Sequence, residues 1–406
     1  PDVFWELKGA GWSMAVDKYV DQKKLKDAVA QLVAPGDTDD QKLRKIYAAV
    51  MKLENTDLTR ERTKAENKAE NLDIRNAEDI WTAQRGNGNQ LALLFIGLAR
   101  AAGLKAYAMM VTDRDQNIFM KSHMDWDQLD DIIAIVNVDG VETYFDPGER
   151  YCEYGKLHWK HTWTSGVRQT SNGEAEIAQT APPAASDTMV SRDADLVLDA
   201  DGSVHGTIHM TVTGSEALMW RQEALVADAE EAAKEFHDRL LPTMPAGVQL
   251  KMEGFTGLTD STLPLTATLD VTGTMGAKTG HRLFVPGTFF EAQAKARFVN
   301  ATRQNPVFLD WAYTVKDHVR LHLPDGVSIE DRPKQDMLFA PHVSFEASYE
   351  GGPHDFQYTR QEQVSAILYS VQQYPALRDF FQKMNAQDQT QLVLQSLPAV
   401  ATAQSR

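Results

Sequence analysis

The chain has 406 residues, 43% of them hydrophobic and 24% charged, which is ordinary for globular material and long enough for two or three cores. Its formal charge of −16 argues against nucleic acid or an anionic membrane as partner. A single cysteine, Cys152, excludes an internal disulfide framework, and no apolar run approaches the roughly 18 residues that a membrane span needs.

The chain begins at Pro1, without methionine, so the expectation is a part of a larger polypeptide whose targeting segment lies elsewhere. Residues 1–75 read as largely helical. In 23–33, Leu25, Ala28, Val29 and Leu32 share one face, and Pro35-Gly36 closes the helix. Asp37, Thr38, Asp39 and Asp40 offer caps for a helix over 41–53, which would bury Leu43, Ile46, Tyr47, Val50 and Met51. Residues 55–71 are rich in Arg, Lys and Glu with few apolar positions, the pattern of a solvated loop.

Residues 77–111 are the stretch on which the rest converges. A short helix carrying Trp81 leads to the turn Arg85-Gly86-Asn87-Gly88-Asn89, and from Gln90 an almost wholly apolar helix follows. Leu91, Leu94, Phe95, Leu98 and Ala102 recur at helical spacing while Ala92, Leu93, Ile96 and Gly97 leave little polar face, so this helix belongs inside a core. Gly103 provides a left-handed stop, and 105–111 is strand-like. Unpaired N–H groups in the first turn of such a helix create a positive field that activates a cysteine placed there, but no cysteine stands there.

Residues 112–128 are polar, with Asp113, Asp115, His123, Asp125 and Asp127, and read as a flap. With Asp130 and Asp131 these acids invite a calcium reading, but they lack the glycine and distal glutamate of a calcium loop, so no metal and no cofactor is expected. A strand over 131–136, a turn at Asn137-Val138-Asp139-Gly140 and a strand over 141–145 lead to Asp146-Pro147-Gly148. His158-Trp159-Lys160-His161 puts two histidines three apart, yet no third zinc ligand is evident, and packing is the favoured role. Residues 166–191, with Pro182-Pro183, read as the approach to a domain boundary.

From 193 onward the pattern alternates. A hairpin is expected at 195–199 and 204–213, then one helix over 215–241 stopped by Pro242, then strands near 249–253, 265–272, 282–285, 292–299, 315–323 and 342–349. Helices at 374–384 and 386–397 finish the chain.

The run RGNGNQLALLFIGLARAAGLKAYAMMV resembles the bacterial transglutaminase-like core, a papain-like fold, in which the turn reads Gly-Asp-Cys before a helix with a Leu-Arg-Ala-Ala-Gly-like end. The resemblance lays Asn87 on the family's aspartate and Gly88 on its nucleophilic cysteine. It lays Asp131 where the histidine begins its strand, and Asp146, before Pro147, on the third member. A glycine supplies no nucleophile, and losing the nucleophile of a triad typically costs about 10⁶ in turnover. The resemblance thus implies an α+β chain with a papain-like transglutaminase core over 1–180, a linker over 181–192, a β-sandwich-like domain with one inserted helix over 193–360, and a C-terminal helical segment over 361–406. The order of domains is similar to bacterial cell-envelope proteins of this kind, which implies an extracytoplasmic location. Three roles remain open: a non-catalytic cleft at Trp81, Asn87, Asn89 and Asp130 that binds an extended peptide, glycan or partner protein; a hydrolase using Asp131 and Asp146 as paired carboxylates; and a structural scaffold.

Overall fold

The structure is a computed structural model that describes residues 1–21, 23–59, 63, 65–66 and 74–396. The chain divides into two compact units, Pro1–Pro182 and, the turn residues Thr259–Thr262 apart, Pro183–Arg406. It is a mixed α+β protein with several sheets and a β-rich second half. Most of the expected solvated loop at 55–71 lies outside the described residues, but Asn55 at its start is buried and Thr56–Leu58 forms a 3-10 turn.

In the first unit, α1 (Asp2–Val20) buries Trp5, Gly9, Ser13, Val16 and Val20, a stripe at three- and four-residue spacing. After α2 (Leu25–Leu32), Thr38 starts α3 (Asp39–Val50) with a reciprocal cap, its hydroxyl accepting from the Gln41 N–H while the Gln41 side chain accepts from the Thr38 N–H. Asn76 caps α4 (Ala77–Ala83) in the same way from one side. The apolar helix is α5 (Gly88–Ala101), with Leu94, Phe95 and Leu98 wholly buried, each worth about 1.5–3 kcal/mol of transfer free energy. Gly103 ends it at φ +89°, a conformation that glycine adopts without penalty.

Strands β1 (Ala106–Val111), β2 (Asp131–Val138), β3 (Val141–Phe145), β4 (Ser165–Gln169) and β5 (Ala175–Gln179) form one antiparallel sheet in the order β3-β2-β1-β4-β5. The hairpin β4–β5 corrects the expectation of a linker-like stretch from 166. Its composition is small and polar because its neighbours on the sheet, not its own bulk, fix it: Val111 pairs with Gly166, where any Cβ would meet the Met110 carbonyl at 2.0 Å.

The second unit opens with the expected hairpin, β6 (Met189–Leu198) and β7 (Ser203–Val212). One long helix was expected next; there are two, α6 (Gly214–Val226) and α7 (Ala229–Leu240), because Asp228 leaves the helix and accepts from the Glu231 N–H at 2.8 Å. Strands β8 (Gly247–Thr256), β9 (Leu265–Thr274), β10 (Ala277–Thr279) and β11 (Arg282–Pro286) precede β12 (Tyr313–His322), β13 (Val327–Asp331), β14 (Asp336–Ala340), β15 (Val343–Gly351) and β16 (Asp355–Val364). The strand expected at 292–299 is absent, replaced by turns. Helix α8 (Tyr374–Asp388) follows, and the second C-terminal helix expected at 386–397 is instead a strand, β17 (Gln391–Ser396), whose alternating Leu392 and Leu394 are buried.

Eight strands pair in the order β8-β9-β7-β6-β12-β16-β15-β14, with β6 and β12 parallel and the rest antiparallel. A second sheet runs β10-β11-β17-β13. Leu283, Val285, Leu392 and Leu394 of the smaller sheet share one core with Leu196, Ile208, Leu269 and Phe345 of the larger and with Leu377 and Phe380 of α8.

Candidate functional site

The Gly/Asn turn before α5, the start of β2 and the turn after β3 meet in the first unit, which brings near one another the Gly88, Asp131 and Asp146 that the family resemblance singles out. The side chains found there are not those expected. Asn87 is spent on capping: its Oδ1 accepts from the Gln90 N–H at 2.9 Å and the Gln90 side chain accepts from the Asn87 N–H at 2.9 Å. Asn89 braces the strand, its Nδ2 donating to the Asp130 carbonyl at 2.9 Å and its Oδ1 accepting from the Ile132 N–H at 2.6 Å. Trp81 is half-buried and packs on the core, and the Asp130 carboxylate accepts from the Asp113 N–H at 3.4 Å. The side chains expected to receive a ligand thus serve the fold: a cap, a brace and packing.

Gly88 occupies the nucleophile's place in a closed setting. A Cβ there would lie 3.1 Å from the Gly148 carbonyl oxygen, and a Cβ on Gly148 would lie 2.5 Å from the Gly88 carbonyl oxygen. The Gly88 N–H, the donor best placed to hold an oxyanion, donates to the Asp57 carboxylate at 2.7 Å. Asn55 Nδ2 donates to the Gly148 carbonyl at 2.7 Å, which fixes the opposing turn.

Asp131 and Asp146 do not face each other across a water, as a paired-carboxylate hydrolase requires, because His161 stands between them. Its Nε2 lies 2.8 Å from Asp131 Oδ2 and its Nδ1 2.6 Å from Asp146 Oδ2. The segment that brings it is built locally: His158 Nδ1 accepts from the Lys160 N–H at 3.3 Å to cap a 3-10 turn over Trp159–His161, and the His158 N–H donates to Asp146 Oδ2 at 2.9 Å. Arg114 clamps the turn, its Nε donating to the Thr162 carbonyl at 2.8 Å and its guanidinium lying over the Trp159 ring.

Lys160 completes the cluster. Its ammonium lies 3.1 Å from Asp131, 2.9 Å from Glu149 and 3.6 Å from Asp113. Asp131, Glu149 and His161 bring three potential metal-ligating atoms within 4.8 Å of one another, but this ammonium already lies against two of the three groups. The site holds a cation of its own.

Burial works against charge on His161, yet the Asp146 charge and the hydrogen bonds to Asp131 and Asp146 outweigh it and raise the imidazole to about 10. Burial likewise opposes ionisation of Asp131, but the His161 hydrogen bond and charge, then Lys160, hold its carboxyl well below the usual range. At neutral pH His161 is therefore an imidazolium donating at both nitrogens. In that state it has no lone pair with which to take a proton from a thiol or a water. Cys152 offers no displaced nucleophile: it is buried, and burial pushes its thiol well above its ordinary value.

Sequence reasoning missed His161, Lys160 and Glu149 as members of this site. The only signal was the HWKH run itself, which begins 12 residues beyond Asp146. Of the acidic run, Asp125 caps a turn through the Asp127 N–H at 3.1 Å, and Asp130 and Asp131 have the separate partners given above.

Residues 281–394 match a family described as a domain of unknown function with solved structure, DUF3858. The whole chain is similar in fold to a crystal structure from Parabacteroides distasonis titled a "putative protease", with a TM-score of 0.52 and 10% sequence identity. That similarity covers 95% of this chain and 58% of the other, so the chain spans little more than half the length of that neighbour. No curated protein matches the chain.

Proposed function

We propose that the first unit is a transglutaminase-like core that no longer performs acyl transfer and acts as a structural unit of a multidomain protein of the bacterial cell envelope. The observation that carries this reading is that the nucleophile's position is a glycine, Gly88, packed against the Gly148 turn, where a Cβ would lie 3.1 Å from the Gly148 carbonyl oxygen. The setting of His161 supports it, since both of its ring nitrogens lie against carboxylates and neither is left to face a nucleophile. In place of catalysis the residues form an ionic brace that ties the start of β2, the turn after β3 and the Trp159–His161 turn together. The envelope location rests on the domain order that the sequence resembles, and the transglutaminase-like reading of the core on the motif around Gly88 together with the protease-titled fold neighbour.

The test is a turnover screen of the purified chain against fluorogenic peptides and against amine incorporation into glutamine peptides, run beside His161→Asn. The expected result is no turnover in either protein. Turnover in the wild type that disappears in His161→Asn overturns the reading and returns the cluster to the enzymes.

A further inference from the structure

The second unit carries a half-open cavity of about 580 Å3, within the range of about 300–1,000 Å3 that small-molecule sites occupy. Three guanidinium groups line it, Arg192, Arg239 and Arg297, against four carboxyl groups, Glu216, Glu291, Asp310 and Glu362. The guanidiniums are engaged within the protein. Arg192 donates to Asp317 through Nε at 2.6 Å and Nη2 at 2.8 Å, and to Glu291 through Nη2 at 2.7 Å. Arg297 Nη1 donates to Glu362 at 2.9 Å and to the Tyr313 hydroxyl at 2.5 Å, and Arg239 Nε to Glu235 at 3.0 Å.

Glu216 is the exception. It sits in the first turn of α6, half-buried, and its Oε1 accepts a hydrogen bond from the Trp220 indole N–H at 3.1 Å. Among the described residues no cation lies within ion-pair distance of it. Burial raises its carboxyl above the ordinary value, against the Trp220 hydrogen bond and the Arg239 charge. A half-buried carboxylate that meets Arg239 only through space, Arg239 being paired with Glu235, gains when a second cation arrives. The rest of the wall suits an apolar body, with Phe298, Trp311 and Phe381 presenting rings and Met210 a pliable thioether.

We propose that this cavity binds a small organic cation, an alkylammonium on an aromatic or branched apolar body, with Glu216 as its counter-ion and the aromatic wall around its body. An anion is disfavoured because the guanidinium donors named above are already matched by carboxylates of the fold. The same chemistry can arrive as a free amine or as the basic side chain of a peptide, and the experiment separates them.

Isothermal titration of the full chain uses 2-phenylethylammonium, its neutral counterpart 2-phenylethanol, the anion phenylacetate, and acetyl-phenylalanyl-lysine amide. The expected result is saturable one-to-one binding of an ammonium probe, about tenfold or more tighter than the alcohol, with phenylacetate weaker still. Glu216→Gln should lose about tenfold for the ammonium while leaving the alcohol unchanged, and Met210→Trp, which fills the cavity, should abolish binding with the thermal melt retained. A preference for the peptide over the free amine assigns the cation to a lysine side chain; the reverse assigns it to a metabolite amine. The proposal is overturned if neither ammonium probe binds, if the alcohol or phenylacetate binds as tightly, or if a folded Glu216→Gln binds unchanged. The comparison between the ammonium and the alcohol needs no variant, so a Glu216→Gln chain that fails to fold leaves a decisive measurement.

Discussion

Among the described residues each unit carries a cluster of buried charge, and the two balance burial against ion pairing differently. In the first unit Asp131 keeps 28% of its side chain exposed and Lys160 20%, and the cations win: the Asp131 carboxyl is held well below its ordinary range. In the second, Arg192, Asp317, Arg360, Glu362 and Asp388 lie on the sheet and α8 with side chains 8% exposed or less. There burial wins on two carboxyls despite bidentate partners: Asp317 is raised, and Asp388 is raised to about 6. Within the second cluster the outcomes also divide, since Glu362, as dry as Asp388 but faced by both Arg297 and Arg360, is lowered; neither burial nor the number of partners alone sets the state of a buried acid, and the charges of both signs around it decide how much of the Coulomb gain survives desolvation. The contrast also warns against reading shifted groups as a catalytic signature, since the more strongly buried cluster sits in a β-rich unit far from any triad pattern.

The largest effect should come from Arg360, whose Nε and Nη2 hold Asp388 at 2.8 and 2.9 Å while Nη2 also reaches Glu362 at 3.2 Å. Arg360→Met strands Asp388 in a dry core and should cost about 5 kcal/mol, the upper part of the range for breaking a buried pair, read by urea unfolding. His161→Phe leaves Asp131 with Lys160 but strands Asp146, whose side chain is 1% exposed, so its cost should be about 4 kcal/mol, close to that of Arg360→Met. If His161→Phe costs less than about 1 kcal/mol, the His161 contacts do not brace the first unit and the likeness between the two clusters fails.

A third measurement sharpens it through pH. Asp388 is raised from 3.8 to about 6 and His161 from 6.5 to about 10, so in both cases the folded state holds a proton that the unfolded chain has lost. Each contribution is complete below the unfolded value and is lost as pH rises through the folded one, with a slope of at most about 1.4 kcal/mol per pH unit. Stability should therefore decline over two windows, about 4 to 6 from the second unit and about 6.5 to 10 from the first. Asp388→Asn should flatten only the lower window and His161→Phe only the upper, measured as denaturation midpoints across pH.

The sequence showed the first cluster's frame better than its occupant. The apolar run from Leu91 to Ala102 reads as a core helix and Asp146-Pro147-Gly148 after an alternating strand as a turn, and the family resemblance added which of their residues to look at, Gly88, Asp131 and Asp146. His161 did not, because its partners lie 15 and 30 residues away and what brings it to them is a 3-10 turn of three residues, too short for any periodicity. The second cluster was invisible for a different reason. Arg192 meets Asp317 through the parallel pairing of β6 with β12, a contact 125 residues apart that local pattern does not encode. The DUF3858 match over 281–394 spans Asp317, Arg360, Glu362 and Asp388 but not Arg192, which enters from the hairpin before it.

The smallest effect on stability, and the sharpest on chemistry, belongs to Gly88→Cys. Its Cβ would meet the Gly148 carbonyl oxygen at 3.1 Å, so the turn must shift by a few tenths of an ångström, and the cost should be about 1 kcal/mol. A thiol at the first residue of α5 gains from the helix field, which alone would lower its pKa and speed alkylation by iodoacetamide. What it would not gain is a base, because His161 is already protonated and donates both ways, and its Nε2 is turned to Asp131. The expected outcome is alkylation that follows a single thiol titration, with no low-pH limb of the kind that a thiolate–imidazolium pair produces, and no peptide hydrolysis. Adding Asp131→Asn should change this little if the brace is structural. If instead the double variant hydrolyses peptide, releasing His161 from one carboxylate is all that separates the brace from a working triad, and the first cluster is an enzyme site under restraint.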